Sequence, residues 1–399
     1  MKYPHVKKMI AVFRQRKQIL NENFAFIMPE LAKTFPGRLL QGGIYFTTTP
    51  LRWISRKTGK AYYKPLFTEI MLSRKCNLNC IHCCVDKKFP EKALNTEEYF
   101  KIIDELSSWG LRQFSLSGGE PFCTPSIEKI LEYASHKNMD IGFATNGTLL
   151  TQENLRTIIR SRVNRITISL EGRESIHDLI RGKGVFKKAI RSIEKLVLIK
   201  KKYGYPDVRL NMVVLKQTIP EILHVYRLAK HYGIALNLMP FIPGGAQKEG
   251  ELSFTKEQLY ALYPSNDQFA MLEKIISILK GLKKREGIIF NSVKFLDNML
   301  DYYKKKEFKK TCFKYTNEIG VLSNGNIAFC AQSDFLGNIR NTTLKKAWYS
   351  QTAIENRKKL ENCNACFINC NYTPPLIDLI KDFLIYPFTR KIRSILKLN

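Results

Sequence analysis

Short apolar runs alternate with amphipathic stretches along residues 66–245 of the chain. The apolar runs are bounded by turn residues and predict β-strands over residues 66–72, 113–116, 140–144, 165–170, 208–215 and 235–241. The stretches between them place apolar residues at helical spacing and predict helices over residues 96–109, 126–136, 152–161, 184–203 and 220–232. Repeated β–α units predict parallel strands joined by right-handed crossovers. The pattern therefore predicts an α/β fold, a TIM-like (βα)6 barrel.

Further elements are predicted after the barrel. Residues 255–263 and 269–285 are charged and have helical patterns. Residues 319–321 and 327–330 predict a β-hairpin because an Asn-Gly pair lies between them, and a helix is predicted over residues 343–349. The predicted division is a basic N-terminal helical extension (1–65), a barrel (66–245), a helical linker (246–310), a small hairpin-and-helix domain (311–373) and a basic amphipathic tail (374–399).

Composition and charge narrow the class of protein. The hydrophobic content of 44% over 399 residues argues against general disorder. Apolar runs stay below the ~18–20 residues that a membrane-spanning helix requires, and the N-terminus lacks the apolar core of a signal peptide, so we expect a cytoplasmic protein. The net charge is +30, and residues 1–66 hold thirteen Lys and Arg against two Glu. This excess predicts an anionic partner; the alternative is a lysine-rich, solvated surface.

Three cysteines stand close together after the first predicted strand. Cys76, Cys80 and Cys83 have the spacing C-x3-C-x2-C, while Cys84 is not an expected ligand because adjacent residues cannot both point at one iron without strain. Three thiolates suit a [4Fe–4S] cluster and leave its fourth iron without a protein ligand, whereas a closed zinc site would need a second ligand pair nearby. The loop resembles that of the radical SAM superfamily, in which this iron binds S-adenosylmethionine through its amino and carboxylate groups.

The resemblance extends to the ends of other predicted strands. The segment Ser-Gly-Gly-Glu-Pro at residues 117–121 resembles the superfamily's GGEP element, which contacts the methionine amino group; an ordinary turn is the alternative. The resemblance also implies a partial rather than a closed barrel, with polar side chains near the nucleoside and the methionyl carboxylate. The implied S-adenosylmethionine contacts are Gly118, Gly119, Glu120, Asn146, Ser169 and Arg181, with Glu171 as a further candidate.

A second group of cysteines lies toward the C-terminus, at Cys312, Cys330, Cys363, Cys366 and Cys370. Their hairpin and helix resemble the SPASM/twitch extension, which binds auxiliary iron–sulfur clusters. Five cysteines are too few for two four-thiolate sites. The resemblance therefore implies one auxiliary [4Fe–4S] cluster on the first four, with Cys370 as an alternative ligand. On spacing alone, a four-cysteine zinc knuckle is the other interpretation.

Both ends of the chain are basic and amphipathic. Val6, Met9, Ile10 and Phe13 recur at helical spacing among Lys and Arg, and residues 376–396 repeat the theme. Segments of this kind either lie in a membrane interface or pack on their own domain. Peripheral contact with an anionic membrane, at its inner face, is therefore one of two expectations.

The combined prediction is a radical SAM enzyme of oxidoreductase or transferase type. The resemblance implies reductive cleavage of S-adenosylmethionine at the first cluster, giving a 5′-deoxyadenosyl radical that modifies an unactivated C–H position. The expected substrate is a peptide or a membrane-associated lipid or glycolipid, and the expected electron donor is a protein such as flavodoxin or ferredoxin. No nucleic acid is expected. The alternative is a zinc-knuckle nucleic-acid-binding protein, which explains the charge but not the six β–α units.

Overall fold

The structure is a computed structural model that describes residues 51–243, 253–305, 312–330, 332–363 and 366–367. The N-terminal stripe of Val6, Met9, Ile10 and Phe13, the C-terminal tail and Cys370 lie outside the described residues. Statements about helices, strands and contacts refer to the described part of the chain.

Six parallel strands form the larger part of the sheet. Each strand pairs with the next in parallel register. The six strands predicted from sequence are confirmed, with ends that shift by at most one residue. Their bounds are β1 (Phe67–Met71), β2 (Gln113–Ser117), β3 (Asp140–Thr145), β4 (Arg165–Ser169), β5 (Asp207–Val214) and β6 (Ala235–Pro240).

Helices precede and connect these strands. Helix α2 begins at a capping box, in which Asn95 and Glu98 each accept a hydrogen bond from the other's backbone N–H. The five predicted connecting helices are confirmed, whereas α5 is not predicted, because it has only eight residues and ends directly before Gly182. The bounds are α1 (including residues 51–58), α2 (Thr96–Ser108), α3 (Ile127–His136), α4 (Gln152–Arg160), α5 (Glu174–Arg181), α6 (Val185–Tyr203) and α7 (Ile222–Tyr232).

The strands bury one face completely. Alternate residues of each strand point to this face. One residue from each of the first five strands illustrates this with an exposure of at most 1%: Ile70, Phe114, Ile141, Ile166 and Leu210. They pack in one hydrophobic cluster with residues of the surrounding helices, and this burial is the main source of stability for the sheet. The strand order is open, with β6 at one edge of the described sheet. The predicted partial (βα)6 barrel is therefore confirmed.

The C-terminal region continues the same sheet. Strand β7 (Glu318–Val321) pairs in parallel with β1, and β8 (Asn326–Ala328) and β9 (Gly337–Asn338) follow in antiparallel order. The described sheet has nine strands in the order β6-β5-β4-β3-β2-β1-β7-β8-β9. The predicted hairpin is confirmed. The sequence does not predict its pairing with β1, because both strands were assigned to separate units of the chain.

The remaining helices lie outside the barrel repeats. The predicted helices at 255–263, 269–285 and 343–349 are confirmed, and three further helices, over residues 293–305, 314–317 and 351–359, are not predicted from the sequence. The division into five segments is not decided by these elements and stays a prediction. The bounds are α8 (Lys256–Leu262), α9 (Phe269–Glu286), α10 (Val293–Lys305), α11 (Lys314–Asn317), α12 (Leu344–Tyr349) and α13 (Gln351–Lys359).

A fully buried arginine joins α13 to the segments around it. The Arg357 guanidinium donates to the main-chain carbonyl oxygens of Tyr315 (3.1 Å), Gly59 (3.2 Å) and Trp348 (2.8 Å). It also lies over the rings of Phe329 and Trp348. Burial lowers the pKa of Arg357 to about 10, so the side chain remains charged at neutral pH. One side chain thus connects four segments that are distant in sequence.

Replacing this arginine should destabilise the protein strongly. We expect Arg357→Ala to lower the free energy of unfolding by about 3 kcal/mol, because three buried carbonyl groups lose their donor and a cavity opens. Urea unfolding followed by tryptophan fluorescence measures the change. Arg227→Ala, on the exposed side of α7, is the matched control and should change stability by less than about 0.5 kcal/mol. Equal effects of the two substitutions would contradict a structural role for Arg357.

Candidate active site

The first three cysteines lie in the loop that follows β1. Cys76, Cys80 and Cys83 are half-buried thiols outside any disulfide. The backbone N–H of Cys83 donates to the carbonyl of Cys80 (3.0 Å), and that of Leu78 lies 3.5 Å from the sulfur of Cys76. The loop thus folds into tight turns, which bring the three thiols to the carboxyl end of the sheet.

Two glycines allow the loop after β2 to pack against this cysteine loop. Gly118 has φ +120°, and a Cβ there would come within 2.4 Å of the carbonyl oxygen of Ser73. A Cβ on Gly119 would lie 2.0 Å from the carbonyl oxygen of Lys75. The backbone N–H of Gly119 donates to the carbonyl oxygen of Ser73 (2.7 Å), and the backbone N–H of Glu120 donates to the carbonyl oxygen of Lys75 (2.9 Å). The glycines therefore fix the cysteine loop itself; their contact with S-adenosylmethionine stays a prediction.

Glu120 turns its carboxylate toward the end of β3. It accepts hydrogen bonds from the Thr145 hydroxyl (2.7 Å) and the Asn146 backbone N–H (2.8 Å), and it is only 2% exposed. Burial raises the pKa of Glu120, although the hydrogen bonds from Asn146 and Thr145 oppose the shift. In this structure the carboxylate joins two strand ends, so a role toward the methionine amino group also stays a prediction.

Asn77 and Asn146 connect the cysteine loop to β3. The side-chain amide of Asn146 donates to the Asn77 side-chain oxygen (3.0 Å) and lies 4.0 Å from the sulfur of Cys76. Asn77 in turn donates to the hydroxyl of Thr148 (2.8 Å). Asn146 is among the residues predicted from the sequence, whereas Asn77 is not; its position directly after the first cysteine is the signal that could have identified it.

At the end of β4, Glu171 and Arg181 form a buried ion pair. The guanidinium of Arg181 donates through Nε (3.0 Å) and Nη2 (2.5 Å) to the same carboxylate oxygen of Glu171. Its Nη1 lies 3.8 Å from the sulfur of Cys80. The resemblance implied a pairing of Arg181 with the methionyl carboxylate, which stays a prediction; the observed partners are a protein carboxylate and a cluster-loop thiol. Ser169 lies at the same strand end, opposite Asn211 in register.

The three thiols are close enough to act on one another. Burial raises the pKa of Cys80, and the neighbouring Cys83 and Cys76 add to this effect while Arg181 opposes it. Burial likewise raises the pKa of Cys76. Three free thiols of one loop, with N–H donors of Arg181 and Asn146 beside two sulfurs, are a donor set that fits an iron–sulfur cluster.

The inner face of the sheet is polar, in contrast to its outer face. The amide of Asn237 donates to the side-chain oxygen of Asn211 (2.7 Å). A Cβ on Gly142 would come within 3.1 Å of the Arg165 guanidinium and 3.3 Å of the Ser115 hydroxyl, so these groups meet on the inner face. The strand positions on this face are half-buried and carry hydroxyl, amide or charged groups in most cases. The barrel therefore encloses a hydrophilic space next to the cysteine loop.

A three-charge cluster lies where the barrel meets β7. The ammonium group of Lys314 donates to the carboxylates of Glu318 (2.7 Å) and Glu69 (3.4 Å). The side chains of Lys314 and Glu318 are 9% and 6% exposed, whereas that of Glu69 is 40% exposed. Glu69 comes from β1 and faces the inner space, so one carboxylate of the cluster is accessible from it.

The two carboxyl groups of this cluster differ in proton affinity. Burial raises the pKa of Glu318 to about 7. The positive charge of Lys314 opposes this shift, and the negative charge of Glu69 adds to it. Burial would also raise the pKa of Glu69, but Lys314 and a hydrogen bond from Ser117 hold it below its ordinary value. Near neutral pH Glu318 is therefore only partly ionised, whereas Glu69 carries a full negative charge.

Three cysteines of the second group also lie near one another. Cys312 is buried, and Cys330, Cys363 and Cys366 are half-buried. Burial raises the pKa of Cys330 to about 11, and the charges of Cys312 and Cys366 contribute, so these three sulfurs are near neighbours. This donor set fits a thiolate-bound cluster. Cys363 follows the turn Leu360–Asn362, and its ligation stays a prediction, as do those of the other cysteines. Cys370 is outside the described residues.

Among the described residues, no three His, Cys, Asp or Glu side chains lie together in a way that could hold a single metal ion. Every helix found there is too short or too polar to cross a membrane.

Comparison with protein families matches both cysteine regions. Residues 70–229 match the radical SAM superfamily, and residues 312–371 match the SPASM iron–sulfur cluster-binding domain. The chain belongs to the radical SAM superfamily and carries a SPASM domain, as the resemblance at the two cysteine groups implied.

Several characterised proteins are similar to this chain. The AdoMet-dependent heme synthase of Methanosarcina barkeri is 29% identical over 75% of this chain and 87% of its own length. The GTP 3′,8-cyclase of Clostridium botulinum is 26% identical over 77% of this chain and 88% of its own length. The mycofactocin maturase MftC of Mycolicibacterium smegmatis is 31% identical over 50% of this chain. The chain spans about half of that maturase, 51% of its length.

Solved structures show the same fold. Streptococcus suis SuiB bound to S-adenosylmethionine has a TM-score of 0.60 at 15% identity and covers 93% of this chain and 87% of its own. The protein anSMEcpe with bound AdoMet has a TM-score of 0.56 at 20% identity, covering 82% and 99%. At these identities the likeness establishes the fold.

The family assignment confirms the predicted cofactors. These are S-adenosylmethionine, the [4Fe–4S] cluster that binds it, and auxiliary iron–sulfur chemistry in the SPASM domain. The iron–sulfur interpretation of the two cysteine groups is thereby supported over the zinc interpretation. The protein is an enzyme, and the family leaves its substrate open.

The proton on Glu318 should be visible by infrared spectroscopy. We expect a band of a protonated carboxyl group below pH 7 that disappears as the pH rises through about 7, because the raised pKa keeps the proton bound where an ordinary Glu has lost it. Glu318→Gln should remove the band. Glu355→Gln, an exposed position on α13, is the control and should retain it. A band that persists in Glu318→Gln would assign the proton to another group.

Proposed function

We propose that this radical SAM enzyme modifies a peptide at an unactivated C–H position. When bound, the first cluster and S-adenosylmethionine supply a radical able to remove such a hydrogen atom. The residues of the chain bind and orient the reactants, and the barrel separates them from bulk water. The observation that supports a peptide most directly is the polar inner face of the barrel.

The chemistry of that inner face suits amide groups. Asn211 and Asn237 each carry both donors and acceptors, and the hydroxyls of Ser115, Ser117 and Thr167 add further groups of both kinds. Peptide groups present the complementary donors and acceptors at regular intervals. A lipid chain would need an apolar wall, since polar groups buried against hydrocarbon lose their hydrogen bonds to water. The lining therefore favours a peptide over the lipid or glycolipid alternative.

The names of similar proteins give weaker support. MftC is a maturase, and SuiB has been solved with a precursor peptide. A heme synthase and a GTP cyclase are among the relatives as well, so the family alone does not select the substrate. The net charge of +30 favours an acidic substrate segment through electrostatic attraction.

Glu69 lies where it can accept a proton from a substrate in this reaction. Its carboxylate is charged, faces the inner space and is 40% exposed. Lys314 neutralises part of the charge and also pairs with Glu318, whose pKa is about 7. A substrate radical that gives one electron to the auxiliary cluster would lose a proton at the same time, and Glu69 would accept that proton. The reductant that fits the proposal is a one-electron protein such as flavodoxin or ferredoxin.

Iron content tests the assignment of cofactors to the two cysteine groups. Anaerobically reconstituted protein should contain about eight irons, two clusters of four. Replacement of Cys76, Cys80 and Cys83 by Ala should remove about four of them and abolish reductive cleavage of S-adenosylmethionine. Replacement of Cys363 and Cys366 should remove the other four while cleavage continues. An iron content near four per wild-type protein would contradict the auxiliary cluster.

The substrate class is tested with the reconstituted enzyme and defined probes. Synthetic peptides encoded by short reading frames next to the gene are incubated with dithionite and S-adenosylmethionine, in parallel with phosphatidylglycerol vesicles. We expect one peptide to increase 5′-deoxyadenosine formation and to change in mass. The triple-cysteine variant is the control and should leave the peptide unchanged. If the vesicles increase 5′-deoxyadenosine formation and their lipid is chemically changed, while the peptides have no effect, then the substrate is a lipid and the peptide proposal is wrong.

A further inference from the structure

Arg181 is held in place from several sides at the end of α5. It is 8% exposed, and two of its N–H groups bind one oxygen of Glu171, which is itself fully buried. The other oxygen of Glu171 accepts the backbone N–H of Val213 (2.8 Å). These contacts use both carboxylate oxygens, so the guanidinium cannot rotate without breaking buried hydrogen bonds.

His177 supports Glu171 from the adjacent turn. The backbone N–H of Glu171 donates to Nδ1 of His177 (3.1 Å), so the proton of this neutral ring is on Nε2. Burial, together with the charge of Arg181, lowers the pKa of His177 to about 3. The ring therefore adds rigidity and no charge. Among the described residues, the charges next to the Cys80 side of the loop are those of Arg181 and Glu171.

Arg181 remains cationic in spite of its burial. An arginine guanidinium is not deprotonated in proteins, and the carboxylate of Glu171 pairs with it. Its Nη1 is directed at the sulfur of Cys80, 3.8 Å away. A fixed positive charge with an N–H group thus lies next to a predicted cluster ligand.

We propose that Arg181 is a positioning residue that sets the reduction potential of the first cluster through the Cys80 sulfur. Reduction adds one negative charge to the cluster and its thiolates. A cation and an N–H donor at a ligand sulfur stabilise the reduced form more than the oxidised form, and so raise the potential. Glu171 moderates the effect because its negative charge lies on the far side of the same guanidinium.

This role is separable from contact with S-adenosylmethionine and from the peptide proposal. The potential is measured without S-adenosylmethionine and without substrate, so a contact of Arg181 with the cofactor carboxylate does not enter. Failure of the peptide proposal leaves the result unaffected, and the reverse also holds.

The test is a redox titration of the reconstituted enzyme followed by electron paramagnetic resonance. The first cluster is identified afterwards as the signal that changes when S-adenosylmethionine is added. In Arg181→Gln we expect the ratio of reduced to oxidised cluster at a fixed potential to fall about tenfold, which corresponds to about 59 mV for one electron. In Glu171→Gln we expect the opposite shift, because the guanidinium loses its counter-charge. Arg181→Lys keeps the charge without the fork and should lie between wild type and Arg181→Gln.

Opposite shifts separate an electrostatic role from a structural one. Loss of packing would move Arg181→Gln and Glu171→Gln in the same direction. Arg173→Gln is the matched control: Arg173 pairs with Glu221, is 54% exposed and should leave the potential unchanged. A potential in Glu171→Gln that is unchanged or lower, in protein with wild-type iron content, overturns the proposal even if Arg181→Gln fails to assemble its cluster.

Discussion

The central constraint of the structure is the position of β1 between β2 and β7. The strand pairs in parallel on both sides. Its carboxyl end leads into the loop of Cys76, Cys80 and Cys83. Its neighbour β7 begins at Glu318, four residues after Lys314. The barrel and the SPASM region therefore share backbone hydrogen bonds. The site between them is made by one strand and the two elements that flank it.

Buried polar groups complete the site once the strands are in place. Glu120 joins the ends of β2 and β3, and the pair of Glu171 and Arg181 joins the end of β4 to the cysteine loop. Each group is satisfied by several partners, which is the condition under which buried charge is tolerated. The same networks place cations and N–H donors next to sulfur. Stability of the strand ends and electrostatics of the cluster loop thus depend on the same side chains.

The sequence predicts much of this architecture because its signals are local. Apolar runs predicted the six strands, the pair of Asn324 and Gly325 predicted the hairpin, and the resemblance of the first cysteine loop indicated the family. The pairing of β7 with β1 was not accessible, because strand pairing between residues about 250 positions apart leaves no local pattern. Likewise, the close packing of Gly118 and Gly119 on the backbone of residues 73–75 was not predicted, and their contact with a ligand stays a prediction.

Ionisable side chains show the same limit. No role is predicted from the sequence for Glu69, Lys314 or Glu318. Only the fold brings them together, since Glu69 is 245 positions from Lys314 in the chain. Arg181 was identified from a motif, but its partners Glu171 and Cys80 follow from the geometry of the α5 turn and the cysteine loop. Partners that are distant in sequence must be located in three dimensions.

The continuous sheet has a consequence for selectivity. Strands that share hydrogen bonds keep their register, so the span between the first cysteine loop and the SPASM hairpin is fixed by strand spacing and does not depend on a hinge. Under the proposed function, a peptide bound at the SPASM hairpin would have to extend across this constant gap to reach the first cluster. The number of residues between the bound segment and the reacting carbon would then decide which carbon is oxidised.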